Sequence, residues 1–100
     1  MEQIVTTGRT FEEILEVVAK ISEVDADAIL SHSKNAEVVD ARHIFVQLLV
    51  EHEWYPARIA RKLGITEGTV SRALDHFDDR CKLSGTHLKN ILRTARERLK

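Results

Sequence analysis

Ala60-Arg61-Lys62-Leu63-Gly64-Ile65-Thr66-Glu67-Gly68-Thr69-Val70-Ser71-Arg72 is the stretch whose reading decides the fold. Its spacing predicts two short helices joined by a tight turn, a helix-turn-helix. Ala60 lets two helix backbones approach closely, and Gly64, four residues on, is free to take the positive φ that such a turn needs. Ile65 and Val70 are placed to plug the angle between the helices. Thr66 stands at an N-cap and opens a second helix whose outer side carries Glu67, Gly68, Ser71 and Arg72. Helical corners that bind nothing share the Ala-x-x-x-Gly spacing, so the shape is legible before any use for it.

Working outward, Pro56 fits the first position of the leading helix and forbids continuation of the one before it, at Trp54-Tyr55-Pro56. The motif is expected over 56–80: Pro56 to Leu63, then Thr66 to about Arg80, buried through Val70, Ala73, Leu74 and Phe77. Upstream, Thr10-Phe11-Glu12-Glu13 is a capping box. It starts a helix to about Ser22 whose Phe11, Ile14, Leu15, Val18 and Ile21 share one stripe. Asp25 or Asp27 caps a short helix from Ala26 to about His32, with Ile29 and Leu30 facing inward. A polar loop, Ser31-His32-Ser33-Lys34-Asn35, leads to a long helix from Val38 to Glu53, buried through Val38, Ala41, Phe45, Leu48 and Leu49. Ser84 caps a last helix over 84–99 whose stripe (Leu88, Ile91, Leu92, Ala95, Leu99) packs either on the core or on a second copy or partner protein. Residues 1–9 read as a tail and 10–100 as a single all-α domain of six helices.

Composition agrees: one proline, four glycines and five aromatics in 100 residues favour helices over sheet. No apolar run reaches the ~18 residues needed to cross a bilayer, and no signal-peptide core is present. The single Cys81 forms no internal disulfide, which suits a reducing, cytoplasmic setting. Beside Arg80 and Lys82 its thiol is expected to have a somewhat lowered pKa. The five histidines show no i, i+4 pair and no cysteine partner, so no metal or other cofactor is expected. Nothing reads as a catalytic triad or dyad, and the expectation is that the chain is not an enzyme.

The net charge of −1 conceals a division. Residues 1–55 carry four Lys/Arg against eleven Asp/Glu, whereas residues 56–100 carry eleven against five. The basic half holds the helix-turn-helix, an arrangement that turns one positive face toward phosphates. Small and polar side chains at the tip of the second helix suit entry into a DNA major groove.

From Phe11 to about Arg80 the order of elements resembles the C-terminal, DNA-box-binding domain of the bacterial replication initiator DnaA, a fold shared with the Trp repressor. The likeness is carried by Val24-Asp25-Ala26-Asp27-Ala28-Ile29-Leu30-Ser31, by Glu37-Val38-Val39-Asp40-Ala41-Arg42-His43-Ile44 and by the helix-turn-helix. It implies double-stranded DNA as partner and a role in replication or transcription regulation. In the family a basic loop and arginines before and within the long helix contact the backbone and minor groove. Here Arg42 matches one such arginine, while Asp40 replaces a cation and directs an acid toward phosphates. The family's Arg-Asp-His-Thr-Thr signature is Ile65-Thr66-Glu67-Gly68-Thr69 in this chain, so only Thr69 is retained and a different target is implied. No Gly-x-x-x-x-Gly-Lys-Ser/Thr occurs, so no nucleotide cofactor is expected.

The DNA-binding candidates follow. Arg72 suits a bidentate contact to guanine, with Ser71 beside it, and Glu67 can accept from a cytosine amino group. Gly68 allows close approach. Thr66 and Thr69 are placed for phosphate contacts, and Arg58, Arg61, Lys62 and Arg42 for backbone neutralisation. The alternative from another class is a protein-interaction module that has lost DNA binding on the same fold.

Overall fold

Thr10 opens α1 (Phe11–Ser22) with both halves of the capping box. Its hydroxyl accepts from the Glu13 N–H at 3.1 Å, and its own N–H donates to the Glu13 carboxylate at 3.1 Å. The structure is a computed structural model that describes residues 10–83 and 86–99. The tail expected over 1–9 and the Ser84 cap lie outside the described residues. α1 buries Phe11, Ile14, Leu15 and Val18, and Ile21 at its end is half-buried. It stops at Glu23, whose φ of 61° puts a side chain in the left-handed region, a conformation costing about 1–2 kcal/mol outside glycine. The Ser22 hydroxyl offsets part of that by donating to the Val18 carbonyl at 2.6 Å and accepting from the Val24 N–H at 3.3 Å.

α2 (Ala26–Leu30) is two residues shorter than the sequence suggests. Ser31 is extended (ψ 177°), and its hydroxyl donates to the Ala28 carbonyl at 2.5 Å, a local bond that competes with another helical turn. Asp25 occupies the N-cap without a side-chain bond, and Leu30 is only half-buried. α3 (Ala36–Glu51) starts two residues earlier than expected because Asn35 caps it, accepting from the Glu37 N–H at 2.9 Å. This helix packs against each of the other six. Its buried set of Ala41, Ile44, Phe45, Val46, Leu48 and Leu49 therefore wraps most of its circumference, and Val38 is left half-buried near its start.

α4 (Pro56–Leu63) has Pro56 in its first turn. The single helix expected from Thr66 to Arg80 is two: α5 (Glu67–Asp75) and α6 (Phe77–Leu83), which makes seven helices among the described residues. The chain bends at His76 (φ −94°, ψ 2°), where two weak helix formers, Asp75 and His76, offer no apolar side chain to the core. The bend turns Phe77 and Cys81 inward toward α7 and α3. α7 (His87–Arg98) buries Leu88, Leu92 and Ala95, followed by Leu99, against α1, α3 and α6. The stripe that the sequence left open to a second copy is thus covered by the chain's own core. One hydrophobic cluster draws on all seven helices, and no described helix is long and apolar enough to cross a membrane.

Candidate nucleic-acid interface

The α4–turn–α5 unit closes through its backbone. Gly64 ends α4 at φ 69°, its N–H donating to the Ala60 carbonyl, and the Ile65 N–H reaches the same carbonyl at 3.0 Å. That 6→1 bond is the Schellman closure, and it requires a left-handed residue at Gly64. A Cβ there would meet no atom within 4 Å, so the demand for glycine is purely a backbone one. Ala60, Leu63 and Val70 are buried and Ile65 half-buried, so the four small and branched residues fill the angle between the helices.

Thr66 caps α5: its Oγ1 accepts from the Thr69 N–H at 3.1 Å and lies 2.9 Å from the Thr69 hydroxyl. Beyond this cap Glu67, Gly68, Thr69, Ser71 and Arg72 are all exposed, with Val70 turned fully inward. The four residues named for the outer side, Glu67, Gly68, Ser71 and Arg72, are therefore uncovered, and Thr69 with them. Gly68 is not demanded by the fold, because a Cβ there would touch only Thr66 Oγ1 at 3.8 Å.

The cations around this face are less uniform than their sequence positions suggested. Arg61 is exposed on α4. Arg58 lies over the Trp54 ring, 4.6 Å from its centroid, and Lys62 over Phe11 at 5.2 Å, with Glu12 a further 4.0 Å partner. Both lie against the aromatic cluster of Phe11 on α1, Phe45 on α3 and Trp54 in the link from α3 to α4, and remain solvent-exposed. Arg42 departs most from expectation. Its guanidinium donates to the carbonyls of Ile29 (2.9 Å), Ser31 (2.5 Å), Ser33 (3.2 Å) and, more loosely, Ala28 (3.5 Å). This makes it the strap that holds the α2–α3 loop and the C-terminal end of α2 rather than a free phosphate ligand. The strapped loop, including Ser33 and the exposed Lys34, borders the same small cleft as Leu63, Ile65 and Thr69 of the turn.

Asp40 also differs from its reading as an acid directed at phosphates. It is half-buried and pairs with Arg80 of α6, which donates through Nε at 3.1 Å and through Nη2. Nothing local marks this pair, because its members stand 40 positions apart. Cys81, next along α6, is 3% exposed, and burial pushes its thiol pKa up, not down. Its neighbours Arg80 and Lys82 do not offset that: the guanidinium is committed to Asp40 and Lys82 is out in solvent.

No local pattern singles out His43. It sits on α3 behind α5, where burial above all, and then the charges of Arg80 and Arg42, push its pKa down to about 4 against the opposing pull of Asp40 and a hydrogen bond to the Ala73 backbone. Its Nδ1 is shut off from water with no hydrogen-bond partner among the described residues. An unfolded histidine protonates near pH 6.5, so between about 6.5 and 4 the unfolded chain gains a proton that the folded one refuses. Stability should therefore fall across that window as pH drops, by about 2 kcal/mol once partial exposure is discounted. Urea denaturation at pH 7 and pH 4.5 checks this: His43→Leu should flatten the loss, and an equal loss in both proteins would refute it.

Among the described residues no cluster of histidine, cysteine and carboxylate side chains is arranged to hold a metal ion. No protein-family model matches the chain, and comparison with curated proteins and with solved structures finds no match.

Proposed function

We propose that the chain binds double-stranded DNA, with α5 entering the major groove, as a small bacterial regulator or DNA-binding domain built like the DnaA C-terminal domain and the Trp repressor. The observation that carries this reading is the bare outer face of α5, where Glu67, Gly68, Thr69, Ser71 and Arg72 stand exposed while Val70 anchors the helix beneath them. The order of helices and the Gly64 turn support the same family of folds. Arg61, Arg58 and Lys62 supply positive charge on the adjoining helix, and the backbone N–H groups at the start of α5 suit a phosphate. Arg42 and Asp40 belong to the scaffold in this reading. Regulation of transcription or replication is the role that follows, with the target differing from the initiator's box because Glu67 and Gly68 replace its base-reading residues.

Selection from a random duplex library, followed by mobility shifts at low and moderate salt, tests the proposal. An enriched sequence and an affinity falling steeply with salt are expected. Absence of duplex binding even at low salt would sink it and favour the interaction-module alternative. Gly68→Ala separates binding from folding. Alanine is accommodated sterically and raises helix propensity, so stability should be unchanged or higher by up to about 1 kcal/mol. The added methyl stands on the face that approaches the bases, and affinity for the selected site should drop several-fold.

A further inference from the structure

We infer that the outer side of α4, from Tyr55 to Lys62, is a stacking platform for single-stranded DNA. The Tyr55 ring is 75% exposed at the head of this helix. Trp54 beside it is half-buried, with the Arg58 guanidinium laid over its ring. Glu53 sets the pair in place: its φ of 68° lets the Trp54 N–H close on the Leu49 carbonyl at 2.9 Å, at the end of α3. Steps of three and four residues then carry Tyr55, Arg58 and Lys62 along one side of α4, while Ile59, Ala60 and Leu63 hold its other side in the core. Arg61, one turn beyond Arg58, is exposed as well.

An aromatic ring and a guanidinium plane are surfaces on which unpaired bases stack, and cations set along the same side suit the phosphates between those bases. In a duplex the base faces are already stacked on one another, and only base edges and backbone are open to a protein. An open tyrosine ring on a basic helix therefore gains a full contact from an unpaired base and little from a paired one. The carboxylates of an acidic protein segment would meet the cations but leave the ring uncovered. Glu12 lies 4.0 Å from Lys62 in an exposed pair, so a phosphate displaces only a weak surface contact there. Stacking on α4 stands apart from the duplex reading of α5. The choice of DNA over RNA rests on that reading, because α5 packs against α4 and a strand parted from a duplex would lie beside it.

The probe is an oligothymidylate of about eight nucleotides, within the ~4–16 of a small single-strand site, titrated into the full chain. Trp54, the single tryptophan, reports binding through its emission, and a saturable change is expected. One stacked base contributes about fivefold to 150-fold, so an abasic strand with the same phosphates should bind at least about fivefold more weakly. Tyr55→Ala should bring oligothymidylate down to the abasic level, and its exposure means that the core is left intact. Tyr55→Phe should keep the advantage, while Arg58→Lys, which retains the charge but not the plane, should lose part of it. Equal binding of the two strands, or no effect of Tyr55→Ala, overturns the inference. So does hexaglutamate binding as tightly as oligothymidylate, and tighter binding of oligouridylate overturns the assignment to DNA. Arg72→Ala should leave single-strand binding unchanged. A chain that ignores duplexes but passes these tests loses the α5 reading and keeps this one, and one that binds a selected duplex but fails them does the reverse.

Discussion

Arg42→Met should destabilise the protein by about 3 kcal/mol, and Arg42→Lys by about 1–2 kcal/mol, with only a secondary effect on DNA affinity. The guanidinium serves four backbone carbonyls from one side chain, three of them at the end of α2, where unsatisfied carbonyls gather and the helix dipole is negative. Methionine keeps the stem but takes the guanidinium donors from the Ile29, Ser31 and Ser33 oxygens, while the Ala28 oxygen keeps its bonds from Ser31. Lysine keeps the charge, but a compact ammonium cannot span carbonyls set around a planar fork. Burial lowers the pKa of Arg42, yet an arginine remains charged throughout the accessible pH range, so the strap does not titrate. Urea denaturation measures the loss, and amide exchange at Ser33 and Asn35 shows whether the loop is released. Should both variants retain full stability while losing DNA affinity, Arg42 is a phosphate ligand, as the family resemblance first implied, and not a strap.

Arg72→Ala should reduce affinity for the selected duplex by about fivefold to 150-fold, the range for a lost bidentate contact to guanine, while hardly changing affinity for random DNA. Arg72 is exposed one turn into α5, and replacing it leaves the packing of Val70 untouched, so thermal stability should stay within about 0.5 kcal/mol. Arg61→Ala provides the contrast. A cation that meets phosphate should weaken both duplexes alike and lower the salt slope by about one unit. Equal losses on both duplexes for Arg72→Ala would move it from base reading to backbone contact, and no loss on either would remove α5 from the interface.

The elements legible in advance were those whose signals lie within a few residues of one another. The Thr10–Glu13 capping box, Pro56 at the head of α4, Gly64 in its left-handed turn and Thr66 capping α5 all stand where spacing placed them. The outer face of α5 was legible for the same reason, since 3.6-residue periodicity sets Gly68 and Arg72 on the side of the helix opposite Val70. Helix ends were less so. Ser31 and Asn35 moved boundaries by two residues through side-chain bonds that compete with the helix ladder. The bend at His76 escaped because Leu74 and Phe77 continue a helical period across it. Only the packing of Phe77 and Cys81 toward α7 selects the broken path.

The amino-acid order by itself determined an all-helical chain, its helix-turn-helix and the exposed character of α5, because caps, turns and amphipathic stripes are local and act over one or two helical turns. Tertiary structure alone decided that Arg42 binds carbonyls, that Asp40 meets Arg80, that α7 covers the core and that His43 is buried beside a cleft. Those outcomes depend on groups brought together from distant parts of the chain, 9 to 40 positions apart for the bonds of Arg42 and Arg80 and further still for α7 against α1, and side-chain donors and charges take whichever partner the folded backbone places within reach.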